Sequence, residues 1–206
     1  MRLIAACLIG ALSASVAADP ARAQVEQDAT TGLVTCTTTA GHHTRRIITG
    51  VGEGGRISGM VRLVRPDPSP RYTAAAGFLF KQASEHHVAL EIALRPGTTD
   101  RMAYGVQMPG EARLTELGEA AAGLWYPLAI SITNGMMTLQ VGQQVTRRRV
   151  RLNGPLQPIL HCNSGIFEFR LGPGLGLGGV PVNADPNAPP AHAPDGGAPS
   201  PSGPSR

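Results

Sequence analysis

Between residues 33 and 171 apolar side chains recur at every second position, and that period constrains the fold more than any other feature of the chain. Val88, Leu90, Ile92 and Leu94 alternate with Ala89, Glu91, Ala93 and Arg95. Leu128, Ile130 and Ile132 alternate with Ala129, Ser131 and Thr133; Met137, Leu139 and Val141 with Thr138 and Gln140; Phe167, Phe169 and Leu171 with Glu168 and Arg170. Residues 57–64 and 72–80 follow the same rule less cleanly. Successive side chains of a strand point to opposite faces, so each run has one face for a core and one for solvent. Turn residues separate the runs. Asn134-Gly135 tolerates positive φ at both positions and predicts a two-residue hairpin. Pro96-Gly97, Pro109-Gly110 and Asn153-Gly154-Pro155 punctuate the rest. Many short strands at this spacing predict an all-β, antiparallel two-sheet sandwich or a barrel. Residues 111–122 are the one helical candidate, through Leu114 and Leu117, although Gly118 weakens it and an irregular loop fits equally.

Both ends differ from this body. Arg2, an uncharged apolar run over residues 3–18 and the small-x-small triplet Ala21-Arg22-Ala23 make residues 1–23 an export signal, cleaved before Gln24 or alternatively after Ala18. No stretch reaches the length of a membrane-spanning helix. Residues 24–32 are then a lead-in and residues 33–171 the sandwich domain. Residues 172–206 are mostly Gly, Pro, Ala and Ser and cannot bury enough surface to offset ordering, which predicts a disordered tail. Gly174, Gly176 and Gly179 match a dinucleotide-binding spacing, but Pro181, Pro186, Pro189 and Pro190 forbid the helix such a site requires.

Loss of the signal removes Cys7 and leaves Cys36 and Cys162. An even pair in the periplasm or outside the cell predicts a disulfide; two separate buried thiols are the alternative.

The run Arg56-Ile57-Ser58-Gly59, then Gly77-Phe78-Leu79-Phe80, then Leu128 to Gly142 with its Asn-Gly hairpin, then Cys162-Asn163-Ser164-Gly165-Ile166-Phe167-Glu168-Phe169, resembles the concanavalin A-like lectin/glucanase jelly-roll superfamily. The resemblance covers most of residues 33–171 and is one of strand rhythm. It implies two packed curved sheets whose concave face binds or cleaves saccharides. A fainter likeness to small secreted β proteins of the invasion-associated type is at odds with the single cysteine pair here.

Chemistry-bearing residues are sparse. Saccharide hydrolysis needs two carboxylates flanking the glycosidic oxygen. The Glu-x-Asp-x-Glu strand pattern of the superfamily's retaining hydrolases is absent, and Glu91 and Glu168 each stand alone at positions that solvent-facing strand geometry explains. The doublets His42-His43 and His86-His87 cannot turn both rings to one metal if they lie in strands. No catalytic residue, metal site or cofactor is therefore predicted. Arg147, Arg149 and Arg151 share one face of an extended segment. They suit either anion recognition or the protection of an edge strand by charge. Trp125 and Tyr126 offer rings for sugar stacking or for core packing. With only 4% aromatics, base stacking and hence nucleic-acid binding are not expected. The expectation is an exported, non-catalytic β-sandwich that binds a glycan or anionic envelope polymer through Arg147, Arg149, Arg151, Trp125, Tyr126 and Glu91. A divergent hydrolase and a protein-interaction module are the alternatives.

Overall fold

A computed structural model describes residues 23–182, apart from 53–54, 68–72, 84–85, 112–113 and 153. The predicted signal (but for Ala23), residues 183–206 of the predicted tail, Tyr72 and Asn153 lie outside the described residues. In chain order the strands are β1 (Gln24–Gln27), β2 (Leu33–Thr37), β3 (His43–Thr49), β4 (Arg56–Pro66), β5 (Ala75–Lys81), β6 (His87–Leu94) and β7 (Arg101–Gln107). They continue with β8 (Thr115–Ala121), β9 (Tyr126–Thr133), β10 (Met136–Val141), β11 (Gln144–Arg149), β12 (Gln157–Asn163), β13 (Gly165–Leu171) and β14 (Gly176–Val182).

These form two seven-stranded antiparallel sheets. Sheet I has the order β1-β2-β13-β4-β9-β10-β11 and sheet II the order β14-β3-β12-β5-β6-β7-β8. The period-two runs explain why the sheets stack. Val61, Leu63, Leu128, Ile130, Phe167 and Phe169 of sheet I are buried against Phe78, Phe80, Leu90, Ile92 and Leu160 of sheet II. Phe78 and Phe169 meet across the interface with ring centroids 6.0 Å apart. The expected disulfide is present: Cys36 on β2 is bonded to Cys162 on β12, and so ties sheet I to sheet II through the core. Asn134 and Gly135 have φ of 51° and 70° and close the β9–β10 hairpin as predicted.

Three expectations need correction. Within the helical or irregular candidate over 111–122, Thr115–Ala121 form the edge strand β8, paired with β7 and carrying a bulge at Leu117. The lead-in over 24–32 contains β1, which pairs with β2. The predicted tail does not begin at Gly172, because β14 joins sheet II beside β3. Gly178 makes that junction possible: a Cβ there would lie 2.2 Å from the Thr49 methyl group, so the bare backbone allows the strands to approach.

Candidate functional cleft

The outward face of sheet II is hollowed into a cleft of about 760 Å³. Its floor is built from small residues on three consecutive strands: Ala75 on β5, Ala89 and Ala93 on β6, and Ala103 on β7. Outward strand positions that carry only a methyl group leave a hollow where longer side chains would fill one. Polar side chains rise around that floor. His43 and Arg45 come from β3, His161 and Asn163 from β12, His87 from β6 and Gln107 from β7. His42 also lines the cleft; it lies in the turn before β3, where strand alternation does not separate it from His43.

Strand register places one row of residues across the cleft. Arg45 pairs with His161, His161 with Gly77, Gly77 with Glu91, Glu91 with Gly105, and Gly105 with Glu116. Gly77 has no side chain between its two neighbours, and a Cβ there would come within 2.6 Å of the Glu91 Cα and 2.2 Å of the Leu90 carbonyl oxygen. The Glu91 carboxyl therefore meets His161 over the glycine, with Oε2 3.4 Å from Nε2. Each side chain keeps only 13% of its surface exposed.

Burial decides the charge of this pair. It pushes the Glu91 carboxyl up to about 7. It pushes the His161 imidazole down to about 3, helped by the positive charge of Arg45 and by His87 and His43 nearby. Between about pH 3 and 7 the pair thus holds one proton, on the carboxyl. An O–H donor then faces a neutral imidazole, and His161 Nε2 has no hydrogen-bond partner among the described residues. At the wall, Arg95 donates to Glu116 at 2.7 Å and contacts Glu119 at 3.2 Å. The Asn163 side-chain oxygen accepts from the Ala75 amide at 2.7 Å, and Gln107 Oε1 lies 3.2 Å from His87 Nε2.

Of the six residues expected from the sequence to bind ligand, the structure places Glu91 in the cleft and the others elsewhere; of the histidine doublets, His42, His43 and His87 line the cleft as well. Glu91 is not the solvent-facing strand carboxylate its sequence position suggested. Glu168 is on sheet I, where it accepts from Arg62 at 2.7 Å. The guanidinium groups of Arg62 and Arg170 each lie over the Trp125 ring, 4.7 Å from its centroid. Tyr126 packs against the core, and its hydroxyl accepts from the Ala121 amide at 2.6 Å. Arg147 and Arg149 are exposed on β11, the edge strand of sheet I, and exposed Arg151 follows it. Sequence reasoning missed Arg45, His161 and the cleft itself. A signal was present: the outward positions of β5, β6 and β7 read Ala75-x-Gly77, Ala89-x-Glu91-x-Ala93 and Ala103-x-Gly105, small nearly throughout. Among the described residues no cluster of His, Cys, Asp and Glu is placed to hold a metal ion.

The architecture is that of a jelly-roll β-sandwich. The carbohydrate-binding module CBM66 from Bacillus subtilis shares it at a TM-score of 0.50 and 9% identity, over 76% of this chain and 90% of that one. A functionally unknown protein from Saccharomyces cerevisiae aligns at a TM-score of 0.47 and 14% identity, over 76% of this chain and 93% of that one. The alginate lyase AlyA1 from Zobellia galactanivorans aligns at 0.44 and 8% identity, over 71% and 70%. No family model and no curated protein matches the sequence.

Proposed function

We propose that this is an exported protein that binds a saccharide in the sheet II cleft without cleaving it. The observation that carries this reading is the cleft: a hollow of about 760 Å³ is the size of a small-ligand site. Its polar groups come from rigid strands, which hold them in fixed positions. Hydrolysis would need a second free carboxylate opposite Glu91. The candidate across Gly105 is Glu116, which is bound up with Arg95. The Cys36–Cys162 disulfide suits an oxidising compartment and supports export. Binding at Glu91 is retained from the sequence reading. Arg147, Arg149, Arg151, Trp125 and Tyr126 belong to other surfaces and have no part in this site.

The test is a panel of oligosaccharides titrated against the protein and against Ala93→Trp. Ala93 is on the cleft floor with Ala75 and Ala103 paired on either side. An indole there fills the hollow from an outward position. The variant is expected to keep its thermal midpoint within a few degrees and lose at least tenfold in affinity, with no reducing ends released by either protein. Undiminished binding by a folded Ala93→Trp would sink the assignment to this cleft.

A further inference from the structure

The two outward faces of the sandwich differ in kind. Among the described residues the large apolar side chains left exposed are Val64, Leu124, Met136 and Val145. None is on sheet II: Val64 belongs to β4, Met136 to β10 and Val145 to β11, and Leu124 precedes Trp125 just before β9. Register sets their direction. Met137 and Leu139 are buried, so Met136, Thr138 and Gln140 face outward, and their partners Arg149, Arg147 and Val145 face outward with them. Arg56 joins this face: it pairs with Ser131 of β9 and donates across that strand to Gln140 Oε1 at 3.1 Å. Strands β9, β10 and β11 contain no acidic residue. Nearer the middle of the sheet, Arg62 and Arg170 lie over Trp125, and Glu168 is engaged by Arg62. The Gly123 amide donates to the Leu63 carbonyl at 3.1 Å, which brings the turn holding Leu124 to the Val64 end of β4.

Guanidinium groups and exposed apolar side chains therefore share one face. Met136 and Val145 accompany Arg147 and Arg149 at the β11 edge, and Val64 and Leu124 accompany the Arg62–Trp125–Arg170 stack. We propose that this outward face of sheet I docks on an anionic lipid surface. A guanidinium pairs with a phosphate through two N–H groups at once. The apolar side chains among the arginines enter the headgroup boundary and leave water as they do so. A soluble polyanion would engage the arginines alone and leave the valines, the leucine and the methionine in water. Stacked sheets lie about 10 Å apart, and the cleft opens on the opposite face of the sandwich. A molecule docked through sheet I thus turns its cleft away from the bilayer, open to a ligand in solution.

The experiment takes the chain from Gln24 onward, which holds every strand described above. It is sedimented with vesicles of phosphatidylcholine alone and with vesicles that contain about a third phosphatidylglycerol. Binding to the anionic vesicles is expected to exceed binding to the neutral ones by about tenfold or more. An arginine near an anionic surface contributes about fivefold to partitioning, so Arg147→Gln/Arg149→Gln should bind about 25-fold more weakly. Leu124→Ser/Val145→Ser should weaken vesicle binding by about tenfold or more, and leave binding to dextran sulfate, a soluble polyanion, unchanged. Trp125 is the chain's only tryptophan and reports which face docks. On anionic vesicles its emission should shift to the blue and be shielded from acrylamide. Equal binding to both kinds of vesicle, or binding to neither, overturns the proposal. Unshifted Trp125 emission in vesicle-bound protein places the contact elsewhere and overturns it too. Vesicle binding that Leu124→Ser/Val145→Ser leaves untouched would assign the face to a soluble anionic polymer instead. The substituted side chains are exposed, and the wild-type comparison with its Trp125 signal decides the matter even if a variant fails to fold.

Discussion

Glu91 and His161 exchange the protonation states they have in water. Unfolded, the imidazole titrates near 6.5 and the carboxyl near 4.5; folded, they titrate near 3 and near 7. The raised carboxyl contributes stability that is full below 4.5 and lost as pH rises through 7. The depressed imidazole contributes stability that is full above 6.5 and lost as pH falls through 3. Between pH 4.5 and 6.5 both states of the chain hold one proton on the pair, so the two slopes cancel. Glu91→Gln removes one slope and leaves the other. Its stability relative to wild type should fall with acid across pH 6.5 to 4.5 by up to about 1.4 kcal/mol per unit. Urea midpoints for both proteins at pH 4.5, 5.5 and 6.5 measure this, and a constant difference would mean that Glu91 is ionised throughout. Gly77 is the other decisive residue. In Gly77→Ala the new methyl group meets backbone on the neighbouring strand, 2.2 Å from the Leu90 oxygen. Side-chain rotation cannot relieve that contact, so a loss of about 1–3 kcal/mol is expected from denaturant unfolding.

At the scale of elements, strands with one wet face were legible and those without were not. β10 and β13 alternate between a buried and a less buried face, as β6 does from Leu90 onward, and the sequence shows the same alternation. β8 is an edge strand with no buried row of its own, so its leucines at helical spacing misled. Its place is set by pairing with β7, where the Tyr104 hydroxyl crowds Gly118 so closely that a Cβ there would lie 2.1 Å away. β14 was hidden by composition. A glycine-rich composition predicts disorder, whereas at Gly178 the bare backbone permits close approach to Thr49. The disulfide crosses between elements 126 residues apart in sequence. Its loss, in Cys36→Ala/Cys162→Ala, should lower unfolding free energy by about 4–5 kcal/mol through loop-closure entropy. Equilibrium urea unfolding checks this, and a change under 1 kcal/mol would show that the core alone holds the sheets together.

For the whole molecule, the two sheets face different tasks. Sheet I turns outward the Arg62–Glu168 pair, with Arg62 and Arg170 over Trp125, and exposes Arg147 and Arg149 at its β11 edge; sheet II turns outward the cleft. The residues chosen from sequence as a binding surface divide between these faces and cannot act on one small ligand. By itself the sequence determined the all-β class and the hairpin at Asn134-Gly135 and pointed to one disulfide, because period, turn chemistry and cysteine parity are local or countable properties; sandwich rather than barrel is decided by how the sheets close. Only the tertiary structure decided that Arg45, His161, Gly77, Glu91, Gly105 and Glu116 stand in one row. That row is a matter of strand order and register across six strands, in which neighbours such as β12 and β5 are far apart in the chain. The charge of Glu91 follows from the burial this creates, and no property of the residues on either side of it in sequence could have fixed that charge.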